Sequence, residues 1–218
     1  AYETKLRKPF FFRQHRAIQH ESHNFFVKDV ARATSAAPTY FPPAQIISGT
    51  NIRYPLVDGG VFANNPAMCA LVEGLTLNWT DGLSLETPQK EPIPQEEIIV
   101  LSLGTGKERE HYRFEKTRNF NKLTWLKPLI EFMMDGNADT IHYQLEKLYS
   151  KSKNSENQYL RINPSLDEAT RDLDDVTDKN LKALREAGQY AVEKNSKKLH
   201  KLAELLIKQK TPRKHTPE

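Results

Sequence analysis

A nearly unbroken apolar run, Ile98-Ile99-Val100-Leu101-Ser102-Leu103, stops at Gly104-Thr105-Gly106. A run this short and this apolar predicts a strand covered on both faces, as in a parallel sheet packed between helices. The rest of the pattern alternates around it. Lys8 to Arg13 reads as a strand or its end, followed by the polar, His-rich segment RQHRAIQHESH, which reads as an exposed loop. Phe26 to Ala37 carries Val27, Val30, Ala31 and Thr34 at helical spacing, and Pro38 stops it. Ile46-Ile47 and Ile52 to Val57 read as two strands joined by Ser-Gly-Thr-Asn, a turn composition. Asn65-Pro66 reads as an N-cap with proline at the first helical position, and that helix runs through Cys69, Val72 and Leu75 towards Trp79. Thr80 to Gln95, rich in Pro, Gly and acid, reads as a surface loop.

Two amphipathic stripes follow: Leu123, Leu126, Leu129, Ile130 and Met133, then Ala138, Ile141, Leu145 and Leu148. Asp135-Gly136-Asn137 either separates two helices or kinks one. Tyr159 to Ile162 is a short strand, and a last helix starts near Asp178 and reaches about Lys208, with room for a break. Strands alternating with helices predict an α/β layered domain.

The 218 residues suffice for one sizeable core. No apolar run approaches the ~20 residues that span a bilayer. The opening AYETKLRKPFFFRQ has no secretory pattern and no initiator Met, so it reads as the start of a fragment or processed chain and says little about targeting. Cys69 is the single cysteine, which excludes an intrachain disulfide framework and favours a reducing, cytoplasmic setting. Its apolar helical neighbours make it a small core residue rather than a nucleophile. The net charge is +4, and from Lys194 onwards eight Lys/Arg stand against Glu204 and Glu218. We therefore divide the chain into a domain over 1–193 and a basic helix end and tail over 194–218. No aromatic residue is interleaved with those charges, so no nucleic-acid partner is expected.

One acid stands apart. In Val57-Asp58-Gly59-Gly60-Val61-Phe62-Ala63-Asn64-Asn65-Pro66-Ala67, Asp58 ends an apolar strand, and two glycines let backbone or substrate come close. In open α/β sheets, sites lie beyond the carboxyl ends of strands. An Asp-Gly hairpin turn is the structural alternative. A carboxylate needs a nucleophile to serve, and G-x-S-x-G does not occur in these residues. One near miss, Val100-Leu101-Ser102-Leu103-Gly104, lacks the first Gly and puts Ser102 inside a buried strand. Gly104-Thr105-Gly106-Lys107 fails as a phosphate loop, because Leu101 stands where the first Gly belongs. His15, His20 and His23, with Glu21, share no helical face, so no metal site is expected. His111, His142, His200 and His215 are isolated and suggest no Ser-His pairing.

Ala31-Arg32-Ala33-Thr34-Ser35-Ala36-Ala37-Pro38-Thr39-Tyr40-Phe41-Pro42-Pro43, then VDGGVFANNPA, then IVLSLGTG and QYLRINPSL, resemble the patatin-like phospholipases in order and over nearly the whole chain. The resemblance implies the C-terminal portion of a three-layer α/β/α patatin-like domain of the FabD/lysophospholipase type. It implies a lipid acyl hydrolase with a Ser-Asp dyad and no cofactor, acting on phospholipid or another acyl lipid at a membrane surface. Asp58 matches the family's catalytic aspartate, with Gly59 and Gly60 shaping its turn and Asn64 and Asn65 supporting it through capping. In the family the oxyanion loop and G-x-S-x-G lie upstream of where this chain begins, so an N-terminal half is the implied partner. The alternative from another class is a non-catalytic module that binds lipid membranes or a protein partner through the basic C-terminal helix.

Overall fold

A computed structural model describes residues 1–76, 93–107, 112–150 and 158–209. These form two compact units, Ala1–Gln95 with Phe114–Gln144, and Glu96–Arg113 with Leu145–Glu218. No described helix is long and apolar enough to cross a membrane.

The first unit is built on a four-stranded sheet of β1 (Tyr2–Glu3), β2 (Lys8–Pro9), β3 (Ala44–Ile47) and β4 (Arg53–Val57), in the order β2-β1-β4-β3. Every pairing is antiparallel. The β3–β4 hairpin turns through Ser48 to Ile52, with Asn51 in the left-handed region (φ 60°), a conformation Asn tolerates well. Pro55 sits in central β4, and its carbonyl accepts the Thr4 N–H at 3.0 Å. The core consists of Ala33, Ala36, Ala44, Ile46 and Leu56. Phe10, Phe12, Phe25 and Tyr54 close over it with ring centroids 5.0–5.8 Å apart, mostly edge to face. The phenylalanine run predicted as strand is therefore mostly irregular backbone: β2 takes only two residues, and the rings form an aromatic lid.

Helix α1 (Gln14–Gln19) and a 3-10 turn at Glu21–His23 occupy the His-rich stretch expected as loop. Its Gln, Arg, Ala and Ile accept helical geometry at little cost. Helix α2 (Val27–Thr34) turns a different face inward from the one its spacing suggested. Ala33 and Ala36 are buried and Val30 is half-buried, while Val27, Ala31 and Thr34 are exposed. Small alanines let the helix approach the sheet closely, and that closeness outweighs the larger valine. Helices α3 (Gly60–Ala63) and α4 (Ala67–Thr76) follow β4 directly. Trp79 and most of the 80–95 stretch lie outside the described residues. Cys69 is half-buried rather than buried.

After α5 (Phe114–Thr117), α6 runs unbroken from Leu126 to Ser150, so the Asp-Gly-Asn triplet ends no helix. Pro128 is tolerated because it lies in the first turn, where a missing N–H breaks no helical bond.

The second unit holds a two-stranded sheet in which β5 (Val100–Leu103) runs parallel to β6 (Tyr159–Ile162) in register from Val100–Tyr159 to Leu103–Ile162. The strand is paired in parallel, the setting its apolar run suggested, but it is not buried on both faces. Val100 and Ser102 are buried, while Leu101 and Leu103 are 41% and 67% exposed. Helices α7 (Asp178–Lys194) and α8 (Ser196–Gln209) are separated by Asn195, a break for which the sequence pattern left room. Thr177 caps α7, its hydroxyl accepting the Asn180 N–H at 3.3 Å. Leu202 and Leu205 of α8 line a small cavity with Val100 and Leu160. The tail beyond 209 lies outside the described residues.

Candidate active site

Strand β4 ends at Val57, and the chain turns at once into α3, so the Asp-Gly pair is a strand-to-helix corner and not a hairpin. The strands around it are antiparallel, so the carboxyl-end rule for parallel sheets does not by itself explain the site. The corner is held by the end of α2 and the segment that follows it. The Asp58 N–H donates to the Ala36 carbonyl at 2.9 Å and the Gly59 N–H to the Thr34 carbonyl at 3.4 Å. That segment is itself folded back, because Arg32 donates to the Pro42 carbonyl at 2.9 Å and stacks over Phe41. The two motifs singled out in the sequence are thus one hydrogen-bonded structure.

The half-buried Asp58 carboxylate accepts a single hydrogen bond among the described residues, from the Gly60 N–H at 2.7 Å. A carboxylate holding the first N–H of a helical turn is a favourable charge-assisted contact. Gly60 is favoured by close approach rather than by backbone angle. A Cβ there would lie 3.2 Å from Asp58 Oδ1 and 3.7 Å from Asn64 Oδ1. Gly59 has an ordinary helical φ of −67°.

The far end of α3 is fastened to α6. The Asn137 side chain accepts the Asn64 N–H at 3.1 Å and donates to the Phe62 carbonyl at 3.0 Å, satisfying both groups that the end of this short turn leaves open. The Asn64 side chain donates to the Met134 carbonyl at 3.2 Å, and that of Asn65 to the Ala138 carbonyl at 3.3 Å. Asn65 also accepts the Ala67 N–H at 3.2 Å and so caps α4, whereas Asn64 bridges to α6 instead of capping. Phe62 packs against Tyr2 and Phe11 at 6.2 and 5.7 Å. Sequence reading missed Asn137. Its signal was there, since a helix-unfavourable Asn stands beside the buried Ala138 within a long helical pattern.

The other candidates are dispersed. Ser102 is buried in mid-strand, and its Oγ accepts from Arg161 at 2.7 Å. His15 lies 3.8 Å from Glu73, which pairs with Arg13 at 2.9 Å, whereas the His20 and His23 rings are 6.0 Å apart. Among the described residues no group of three or more His, Cys, Asp or Glu is arranged to hold a metal ion.

The family model for patatin-like phospholipase matches residues 2–71, a stretch that contains both the α2 motif and the Asp58 corner. Patatin-like protein 1 of Arabidopsis thaliana is 32% identical over 205 residues, covering 86% of this chain and 48% of that protein. Patatin-like protein 2 of the same plant is 30% identical over 88% of this chain and 50% of its own length. Patatin-04/09 of Solanum tuberosum is 26% identical over 89% and 52%. The chain spans about half the length of the curated relatives it matches. With its mixed helices and sheets the chain fits an α/β patatin-like domain, and over most of its length it is similar to patatin-like proteins.

Proposed function

We propose that this chain supplies the general base of a lipid acyl hydrolase that works through a Ser-Asp dyad. The observation that carries the reading is the state of Asp58: among the described residues it accepts one hydrogen bond, from Gly60, which orients the carboxylate and leaves it capacity to accept a serine proton. The serine belongs to a part of the protein outside these 218 residues, because no G-x-S-x-G occurs in them.

In the reaction, Asp58 takes the hydroxyl proton as the serine oxygen attacks the ester carbonyl. The carbonyl electrons move onto oxygen, where backbone N–H groups stabilise the charge. Collapse expels the alcohol, which receives the proton back from Asp58 and leaves an acyl-serine. Water, activated by the same carboxylate, releases the fatty acid. The chemistry calls for no cofactor or metal. The substrates are phospholipids or related acyl lipids, as the description of the matching family model suggests.

The test is Asp58→Asn in the natural full-length protein. Loss of a general base lowers ester hydrolysis by about 10²–10⁴-fold, with the fold kept because Asn can still accept the Gly60 N–H. Near-normal turnover of a nitrophenyl ester by a well-folded variant removes Asp58 from the mechanism.

A further inference from the structure

The stripe Leu126, Leu129, Ile130 and Met133 has the i, i+3, i+4, i+7 spacing of a helix face made for packing. Yet these side chains are 60%, 48%, 42% and 64% exposed, and Leu123, in the turn before the helix, is 84% exposed. Helix α6 does bury a face, but it is the one carrying Ala138, Leu145 and Tyr149, which at 100° per residue lies roughly 130° around the helix.

We propose that the Asn121–Trp125 turn and the first two turns of α6 form a docking face that seats the protein on an anionic lipid surface. The inference rests on the reading of the site as one that acts on lipid. Three further observations support it.

The first is charge. From Arg113 to Met133, the end of the proposed face, five basic residues stand against Glu115 and Glu131, an excess of three. Basic residues flanking an apolar stripe are what an interfacial helix needs to bind acidic headgroups.

The second is the construction of the tip. The side chain of Asn121 accepts the N–H groups of Leu123 and Thr124 at 2.9 and 3.0 Å. The Asn121 N–H donates to Thr124 Oγ1 at 2.7 Å, and the Trp125 N–H donates to the Asn121 carbonyl at 3.0 Å. The turn can therefore enter the headgroup layer without leaving these donors unpaired, while it holds Leu123 outward. Trp125 stacks edge to face on Phe120 at 5.3 Å, an aromatic pair suited to the same boundary.

The third is continuity with the site. The turn of α6 that follows the stripe, Met134 to Ala138, carries the hydrogen bonds that hold Asn64, Asn65 and Phe62 beside the Asp58 corner. A membrane held by the stripe would thus lie one helical turn from the elements that fix the base.

The experiment uses the natural full-length protein and sedimentation with vesicles of mixed phosphatidylglycerol and phosphatidylcholine, or of phosphatidylcholine alone. Wild type is expected to bind the mixed vesicles more tightly, and less so at high salt. Leu129→Gln with Met133→Gln should weaken binding about tenfold or more, because apolar insertion supplies much of the affinity. Arg118→Glu with Lys122→Glu should remove the preference for the anionic vesicles. Both double variants should keep wild-type hydrolysis of a soluble nitrophenyl ester. Unchanged vesicle binding in the first double variant overturns the proposal. So does a Leu129→Cys variant whose new thiol resists labelling in vesicle-free protein, because a second copy or another part of the protein would then cover the face. Neither result touches the assignment of Asp58, which stands or falls on the soluble ester.

Discussion

Two strands of this protein run into glycine, β4 at Asp58-Gly59-Gly60 and β5 at Gly104-Thr105-Gly106, and the two corners use their glycines in opposite ways. At the first, Gly60 leaves room for the chain's own carboxylate, 3.2 Å from where its Cβ would be, and donates an N–H to it. At the second, a Cβ on Gly104 would overlap the Asn163 side chain, and one on Gly106 would lie 2.5 Å from Leu166. Gly106 also has φ 124°, a backbone region that side chains rarely enter. The β5 corner is packed and bonded on itself: the Gly106 N–H donates to Asn163, and Lys107 and Leu166 exchange backbone bonds with their neighbours. The hydroxyl of its strand, Ser102, is occupied by Arg161. One corner presents the carboxylate proposed as the base, and the other closes a parallel crossover. An apolar run followed by glycine marks both, so the pattern locates corners without saying which one does chemistry.

The largest expected effect on stability lies at the structural corner. Gly106→Ala combines an unfavourable φ with overlap on Leu166, and should cost about 3 kcal/mol or more of stability in thermal or denaturant unfolding. If its melting temperature matches wild type, the corner is looser than described. At the other corner Asn137→Ala should act on catalysis more than on stability. Without the two bonds that fasten α3, the Gly60 N–H and the carboxylate it orients lose their fixed position. A kcat loss of about tenfold with KM unchanged is expected in the full-length protein. Asn137→Asp should recover activity, relative to wild type at the same pH, as the pH falls, because only the protonated acid can both donate to Phe62 and accept from Asn64. A flat ratio across pH would make Asn137 a packing residue. The smallest effect concerns alkali. Burial pushes the phenols of Tyr149 and Tyr159 up, against a smaller opposing pull from Arg161 on Tyr159. Unfolded phenols ionise near pH ~10, so this stability is complete below that value and is lost as pH rises through the higher folded values. Melting temperature should therefore fall above about pH 10, and less steeply in Tyr149→Phe.

Much of this was legible in the residues. The β6 bounds, the parallel setting of β5, room for a break in the last helical stretch and the placing of Asp58 at a strand end all follow from local pattern and turn chemistry. What local pattern could not carry was which face meets what. Val27 looked inward by spacing, but two alanines made the closer fit to the sheet. Leu126 to Met133 looked like core and is exposed, because periodicity records that a face is apolar and not what covers it. The hold of Asn137 on α3 spans 73 and 75 positions in sequence, beyond any local signal except an Asn where a helix would rather have Ala.

The most direct measurement compares Asp58→Asn and Ser102→Ala in the same full-length background, each assayed on a soluble ester and by thermal melting. Asp58→Asn should keep its melting temperature and lose hydrolysis by about 10²–10⁴-fold. Ser102→Ala should melt earlier, since Arg161 loses a buried partner at a cost of about 1–3 kcal/mol, and should hydrolyse the ester as wild type does. An active Asp58→Asn beside a well-folded but inactive Ser102→Ala would reverse the two corners and place the chemistry at β5.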